Sequence, residues 1–314
     1  MAGVADKPFR EVCRKMGAGL TTSEMAIIKD NLLGSFKSKT RLDFSNESPP
    51  ISVQIAGSSV EDFVYSAKFV AKNGANIIDL NMGCPAKKVC HKLAGSALLK
   101  DEKLVANILK EVVNAVDIPI TLKIRTGWDR ANRNAVNIAK IAENEGIKML
   151  VVHGRTREDK YLGEAEYDTI AEVVQSINIP VIANGDITTL NKAKMVLEKT
   201  QAQGLMLGRG TQGKPWFIKE LICFLQDSYY QETKLEEKIT IIKSHIKEIY
   251  DFYGDIMGVR LARKHIFWYS ITLFKDIDED YLSFWQKINK LSTQKEQYQC
   301  LETFLNSYET MYNK

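Results

Sequence analysis

Short, uninterrupted apolar runs recur along this chain up to about residue 225, and amphipathic segments such as Glu61–Asn73, Leu104–Val116 and Asn134–Glu145 separate them. Continuous apolar runs are typical of parallel strands that are covered on both faces. The alternation of such runs with helical patterns predicts a parallel α/β sheet. The predicted strands are Gly19–Thr22, Ile51–Ile55, Ile77–Asn81, Ile118–Lys123, Met149–His153, Ile179–Ala183 and Gly204–Leu207.

A weak internal repeat narrows the fold class. Val112–Lys123 and Val173–Asn184 both contain a helix end, a strand with a proline near its start and a polar residue at the strand's end. Repetition of this unit favours a TIM (β/α)8 barrel. Seven strands are predicted instead of eight, and Met1–Val4 resembles the junction after a strand, so we expect a truncated first strand.

The pattern changes after residue 230, where predicted strands are replaced by helical periodicity rich in aromatic residues. The helical segments are Leu235–Tyr253, Val259–Phe274 and Tyr281–Tyr312. We therefore predict a (β/α)8 barrel domain over residues 1–230 and a small C-terminal helical domain over residues 231–314.

Composition limits the functional classes. The chain has no run of about 18 uncharged apolar residues, so no membrane span is expected, and its first residues lack the order of a signal peptide. Five cysteines without regular spacing argue against a disulfide framework and favour the reducing cytoplasm. The net charge of +4 permits a polyanionic partner without requiring one. We expect a cytoplasmic monomer.

Polar residues follow the predicted strands at the ends where a barrel builds its pocket. The last two groups, Asn184–Asp186 and Gly208–Arg209, predict a phosphate site, because glycines allow close backbone approach and arginine offers a forked donor. Two ordinary glycine turns are the alternative. The full set is Gln54, Asn81, Cys84, Lys123, Arg125, His153, Asn184, Gly185, Asp186, Gly208 and Arg209.

Several chemistries are compatible with these side chains. Lys123 suits an anion site, a Schiff base, stabilisation of a flavin or an ordinary surface position. His153 suits a packed residue or a second donor beside a phosphate. Cys84, Cys90 and His91 lack the paired spacing of zinc ligands, so no metal is expected.

Cys84 itself has three further interpretations. A buried structural thiol is one, and a nucleophile is another, although the sequence places no base beside it. A general acid is the third, because a thiol with a pKa of about 8.5 is mostly protonated at neutral pH. Lys87 and Lys88 follow closely, and we expect them to face a polyanion.

Several motifs together resemble the tRNA-dihydrouridine synthase family, and most closely its bacterial DusB type. The resemblance extends from Met1 to about Tyr269. The motifs are Asn81–Val89 (NMGCPAKKV), Leu93–Leu98, Leu122–Trp128, His153–Thr156, Ile182–Asp186, Gly208–Arg209 and Ala262–Tyr269.

The resemblance implies an FMN-dependent oxidoreductase that reduces the carbon 5–carbon 6 double bond of D-loop uridines in tRNA. Cys84 would protonate carbon 5, reduced FMN would deliver hydride to carbon 6, and NADPH, or alternatively NADH, would supply the electrons. The family has a strand and a proline before the Met-Ala-Gly that opens this chain, and its Pro-Met-Ala contacts FMN. The implied FMN-binding residues are Met1, Ala2, Gln54, Lys123, His153, Asn184, Gly185, Asp186, Gly208 and Arg209.

The resemblance also implies contacts to tRNA from the loop after Cys84 and from the helical domain. Trp268 and Tyr269 suit base stacking there, or equally the core of that domain. The expected tRNA-contacting residues are Asn81, Lys87, Lys88, Lys92, Arg125, Arg260, Arg263 and Lys264.

Three alternative functions differ in substrate or chemistry. An FMN-dependent dehydrogenase would act on a free pyrimidine, a flavin-less homologue would only bind tRNA, and an aldolase would use Lys123 as a Schiff base. The helical domain and the basic loop after Cys84 favour tRNA over a free pyrimidine.

Overall fold

The computed structural model describes residues 1–29, 31, 34–227, 231–274 and 281–312. The chain forms two compact units. Met1–Arg10 and Gly19–Arg209 form the first, which we call the barrel unit, and Glu11–Ala18 and Gly210–Lys314 form the second, the helical unit. Helix α1 (Lys7–Lys15) contributes residues to both.

Six parallel strands form the sheet of the barrel unit, and their spatial order follows the sequence. Helices follow the strands, so each connection crosses one face of the sheet. The strands are β1 (Ser52–Ile55), β2 (Ile77–Met82), β3 (Ile120–Arg125), β4 (Met149–His153), β5 (Val181–Asn184) and β6 (Gly204–Met206).

Seven further α-helices of the barrel unit follow α1 within the described ranges. They are α2 (Phe36–Arg41), α3 (Val60–Lys72), α4 (Lys87–Cys90), α5 (Glu102–Ala115), α6 (Ala135–Asn144), α7 (Asp168–Ser176) and α8 (Leu190–Thr200). Two of them are short: α2 precedes β1, and α4 follows Cys84. Parallel strands in sequence order with intervening helices are the arrangement of a TIM (β/α)8 barrel. The predicted fold class, a barrel followed by helices, is confirmed.

The apolar runs form strands because burial on both faces removes their side chains from water. Ile55, Leu80, Leu122 and Leu150 are fully buried. Polar caps define where the helices begin. Ser59, Asp101 and Thr189 accept hydrogen bonds from the backbone of α3, α5 and α8, respectively.

The first predicted strand, Gly19–Thr22, differs from the expectation. This region makes isolated parallel bridges from Thr22 to Ser52 and from Ala26 to Ile55. Between the bridges, the Ser23 hydroxyl accepts the backbone N–H of Gln54 at 2.9 Å. A side chain thus takes a donor that a regular ladder would use, and the segment does not form a continuous strand.

The helical unit contains α9 (Phe217–Asp227), α10 (Leu235–Phe274), α11 (Tyr281–Lys290) and α12 (Gln294–Tyr312). Gly254, with φ 71° and ψ −174°, interrupts α10 near the predicted break after Tyr253. The core consists mainly of isoleucine, leucine and aromatic side chains, among them Ile242, Ile246, Ile266, Ile288 and Leu305. No helix within the described ranges is long and apolar enough to cross a membrane.

Candidate active site

The sheet brings the predicted pocket residues to one edge, because all six strands end on the same side. Asn81 pairs with Lys123 across β2 and β3. Arg125 pairs with His153, and His153 pairs with Asn184. These residues come from four strands, yet the register places them side by side.

Lys123 is held by an amide from a strand two positions away. Its Nζ donates to Asn184 Oδ1 at 2.8 Å, and Asn184 Nδ2 donates to the Met206 carbonyl at 2.8 Å. Burial lowers the pKa of Lys123 to about 8, with the Asp79 charge opposing the shift and Arg125 adding to it. The amine is therefore mostly cationic at neutral pH.

Hydrogen bonds to the backbone N–H and to the carbonyl of Cys84 fix the loop that carries this residue. Asn81 Oδ1 accepts the N–H groups of Gly83 at 3.2 Å and Cys84 at 3.0 Å, and the Ser96 N–H donates to the Cys84 carbonyl at 3.1 Å. Gly95, at φ 61°, leaves no room for a side chain, since a Cβ would lie 2.8 Å from that carbonyl oxygen.

The Cys84 thiol is partly buried, which fits a proton donor better than a thiolate nucleophile. Burial raises its pKa above the ordinary value, against smaller effects of the Ala86 backbone and Arg125. The thiol therefore stays protonated at neutral pH. Among the described residues, no group of three or more His, Cys, Asp or Glu side chains is placed to hold a metal ion.

Gln54 and Asn81 belong to a polar cluster that the sequence pattern did not reveal in full. Gln54 Nε2 donates to Asp79 Oδ2 at 2.7 Å, and Thr121 Oγ1 donates to Asp79 Oδ1 at 2.6 Å. Burial raises the pKa of Asp79, against the hydrogen bonds from Gln54 and Thr121. The sequence signal was available, because Asp79 interrupts the otherwise apolar run of β2.

Asp186, two residues after β5, accepts hydrogen bonds from two arginines. Arg155, whose side chain is 2% exposed, donates to both Asp186 oxygens at 2.8 and 2.6 Å, and Arg209 donates to Oδ1 at 2.8 Å. Burial raises the pKa of Asp186, but the Arg155 and Ala165 hydrogen bonds outweigh it and hold the pKa below its ordinary value. Arg155 was not predicted, because its only sequence signal is its place two residues after β4.

Gly185 packs closely because it lacks a Cβ, whereas Gly208 has ordinary space beside it. Gly185 has φ 130°, and a Cβ there would lie 2.7 Å from the Ala165 side chain. At Gly208, the nearest atom to an added Cβ is Met1 Sδ at 3.6 Å. Met1 therefore lies beside the end of β6, while Ala2 is exposed.

His153 is a neutral, half-buried imidazole whose ring contains one buried and unused nitrogen. Its Nδ1 has no hydrogen-bond partner within the described part of the chain. Burial lowers its pKa to about 2, and the charges of Lys123, Arg125, Arg155 and Arg209 add to the effect. A buried polar atom without a partner is uncommon, and it suits a ligand atom at this edge.

The basic residues predicted to contact tRNA fall into different environments. Lys87, Lys88 and Lys92 are exposed on and after α4. Arg125 is only 3% exposed, and its guanidinium donates to the carbonyls of Gly83, Thr156 and Lys160 at 2.7–3.0 Å. Arg125 thus ties the Cys84 loop to the loop after β4.

Within the helical unit, Arg260 is exposed, while Arg263 and Lys264 are partly buried. Arg263 donates to the Leu291 carbonyl at 2.9 Å. Trp268 and Tyr269 differ in their exposure to solvent. Tyr269 is buried and hydrogen-bonds His245 Nδ1 at 2.8 Å, so it belongs to the core, whereas Trp268 is partly exposed.

Comparisons with known proteins show the family to which this chain belongs. A family model for dihydrouridine synthase (Dus) matches residues 1–309. The tRNA-dihydrouridine synthase B of Pseudomonas putida is 54% identical over 273 residues, which are 87% of this chain and 81% of that protein. The protein of the same name from Proteus vulgaris is 48% identical over 309 residues, which are 98% and 94% of the two chains. The chain belongs to the dihydrouridine synthase family.

Proposed function

We propose that this protein is a tRNA-dihydrouridine synthase that uses FMN and NADPH to reduce the carbon 5–carbon 6 double bond of D-loop uridines. The observation that carries the proposal is the placement of a protonated thiol, Cys84, three residues after Asn81, whose register partner is the cation Lys123. An acid and a fixed positive charge at one edge are what a reduction that adds hydride and then a proton requires. The relatives' names support tRNA as the substrate.

The residues at the strand ends fit FMN. Lys123 offers a cation to a ring that becomes negative on reduction, and His153 Nδ1, which has no partner among the described residues, offers a polar atom to the ligand. Arg209, oriented by Asp186, and the backbone at Gly185 and Gly208 suit a phosphate. We assign the cofactor to Met1, Ala2, Gln54, Lys123, His153, Asn184, Gly185, Asp186, Gly208 and Arg209.

When bound and reduced, FMN would supply the hydride that carbon 6 of the uracil accepts. The Cys84 thiol then gives its proton to carbon 5, and the thiolate is reprotonated by solvent. The hydride and the proton together complete the two-electron reduction to dihydrouracil. Burial keeps the thiol protonated until the developing negative charge at carbon 5 takes the proton.

We propose that the exposed lysines after Cys84 bind the tRNA backbone near the target nucleotide, which must leave its stack to reach the site. Lys87, Lys88 and Lys92 are exposed, unlike the buried Arg125, which we assign to positioning the loop. On the helical unit, the candidate contacts are Arg260, Arg263 and Lys264. Binding of this kind weakens steeply as salt rises.

Incubation of the FMN-loaded protein with NADPH and an unmodified tRNA transcript tests the proposal. Mass spectrometry should find dihydrouridine in the D-loop, and free uridine should remain unreduced. NADH in place of NADPH compares the two donors. A product from free uridine but none from tRNA would instead indicate a pyrimidine dehydrogenase, and no product with either would overturn the proposal.

Replacement of the proposed acid sharpens the test. Cys84→Ala should bind FMN and tRNA as the unaltered protein does but lose turnover by about 10²–10⁴-fold. Cys223→Ala, in the helical unit, is the matched control and should keep full turnover. Normal turnover in Cys84→Ala would remove the acid role from this residue.

A further inference from the structure

We infer that Asp79 is a positioning residue that sets the direction of a hydrogen-bond chain from inside the sheet to the loop of Cys84. As a statement about the reaction, the inference rests on the proposed function; as a statement about the loop, it rests on geometry alone. Asp79 lies within β2, is 2% exposed and comes five residues before Cys84.

The chain of contacts is continuous. Gln54 Nε2 donates to Asp79 Oδ2 at 2.7 Å, and Asn81 Nδ2 donates to Gln54 Oε1 at 2.8 Å. Asn81 Oδ1 then accepts the backbone N–H groups of Gly83 and Cys84 at 3.2 and 3.0 Å. Four hydrogen bonds thus connect a buried carboxylate to the backbone of the proposed acid.

The direction of this chain is fixed from both ends. A backbone N–H can only donate, so Asn81 must turn its oxygen toward the loop and its nitrogen toward Gln54. Gln54 must then accept with its oxygen and turn its nitrogen toward Asp79. The carboxylate meets this demand, because both of its oxygens accept, one from Gln54 and the other from Thr121. An amide at position 79 has one accepting oxygen, so it could hold Gln54 in this orientation only if the Thr121 hydroxyl turned to accept from its nitrogen.

This arrangement has a consequence for the pocket. Each amide nitrogen, at Gln54 and at Asn81, keeps a second N–H that the chain does not use. Both positions therefore offer donors, which suit the carbonyl oxygens of a pyrimidine or flavin ring. Asp79 also places a negative charge near Lys123 and so favours the protonated form of that amine.

Asp79→Leu tests the chain with a side chain of similar size that accepts no hydrogen bond. Gln54 Nε2 would lose its acceptor inside the sheet, so the Gln54 oxygen would no longer be held toward Asn81. Asn81 could then turn away from the backbone N–H groups of Gly83 and Cys84, and both loop hydrogen bonds would weaken. The loop should open more often and expose the thiol.

Alkylation of Cys84 by iodoacetamide, followed by peptide mass spectrometry on protein without FMN, measures this exposure. We expect Asp79→Leu to raise the rate at Cys84 about tenfold, from the weakening of the two loop hydrogen bonds. The rate at Cys300, in the helical unit, is the internal control and should not change. Thr121→Val removes a donor to Asp79 but not the direction of the chain, so the Cys84 rate should stay within about twofold.

The conservative variant distinguishes positioning from a general structural role. Asp79→Asn keeps an oxygen for Gln54 when the Thr121 hydroxyl accepts from the introduced nitrogen, so the chain keeps its direction without the charge. Its Cys84 rate should stay within about twofold of that of the unaltered protein. If Asp79→Leu fails to fold, Gln54→Leu interrupts the chain one step later and must raise the rate.

Two results would overturn the inference. One is an unchanged Cys84 rate in each folded interrupting variant, and the other is a Cys84 rate in Asp79→Asn as high as that in Asp79→Leu. The alkylation assay needs no reductase activity, so its result is independent of the proposed function. In the tRNA assay, Asp79→Leu should lose turnover, and Asp79→Asn should keep more of it. Absence of dihydrouridine from the unaltered protein would refute only the proposed function.

Discussion

Lys123 destabilises the folded state, because its charged amine is buried at the end of the sheet where the strands terminate. Its pKa falls to about 8 because burial disfavours the charged amine, although Asp79 partly compensates. At pH 7 the amine is charged in both the folded and the unfolded chain, so the folded state carries the whole cost of burying that charge. A residue retained at such a cost is typical of a functional position.

Lys123→Met should therefore stabilise the protein at pH 7 by about 1–3 kcal/mol, the cost of the buried charge less the hydrogen bond to Asn184. Because the folded pKa lies below the unfolded one, the gain should shrink as pH rises from 8 through 10.5. Urea denaturation at pH 7, 8, 9 and 10 measures it. The exposed Lys72→Met is the control, and a destabilised Lys123→Met at pH 7 would contradict the burial argument.

The sequence located the residues of the edge but not the contacts that orient them. Lys123, His153 and Asn184 were predicted because each ends an apolar strand, and parallel strands end together. Arg155 and Asp186 are 31 residues apart, and no local pattern states that they pair. The role of Asp79 likewise depends on Gln54, 25 residues earlier. Their functional roles in the reaction remain predictions.

At the scale of elements, strand positions followed from apolar periodicity, whereas irregular backbone did not. The strands from β1 to β6 each fall within or beside a predicted run. Thr22 and Ala26 make only bridges, because the Ser23 side chain takes a backbone donor of the neighbouring strand. Side-chain competition of this kind has no periodic signature. Gly254 was different, since its interruption of α10 coincides with a break in the helical pattern.

The loop between β2 and α5 depends on one glycine. Gly95→Ala should destabilise the protein in two ways, since φ 61° strains a residue with a Cβ, and that Cβ would lie 2.8 Å from the Cys84 carbonyl oxygen. Gly74→Ala is a matched control, because Gly74 also has positive φ but nothing within 4 Å. We expect a loss of about 1 kcal/mol for Gly74→Ala and at least about twofold that for Gly95→Ala.

Thermal unfolding measures both losses, and the tRNA assay separates them further. Only Gly95→Ala should impair turnover, because only that substitution displaces Cys84. Equal losses of stability in the two variants, with turnover intact in both, would show that the loop accommodates the methyl group.

At the scale of the whole molecule, each unit contains histidine that burial keeps neutral, half-buried in the barrel unit and fully buried in the helical unit. In the barrel unit, His153 has a pKa of about 2, and in the helical unit, burial lowers the pKa of His245 to about 3, with Lys264 and Lys15 adding to the shift. Burial also lowers the pKa of His265, whose ring lies edge-on to His245 with centroids 4.8 Å apart. Neither unit can take up these protons without placing a charge in its interior.

Acid should therefore weaken the fold before its carboxylates titrate. Between pH 6.5 and 5, histidines in the unfolded chain become protonated while His153, His245 and His265 stay neutral in the folded state, so stability falls with pH. Each of the three histidines should lower the free energy of unfolding by about 1.5–2 kcal/mol between pH 6.5 and 5. The amide of His245→Asn can replace the hydrogen bond of Nδ1 to Tyr269, so this variant should lose only the contribution of His245 to the slope of stability against pH. His91→Gln, at an exposed position, should leave the contributions of His153, His245 and His265 unchanged. Urea midpoints at pH 5.0, 5.5, 6.0 and 6.5 test this, and a stability that is flat across the interval would mean that the buried rings accept protons in the folded state.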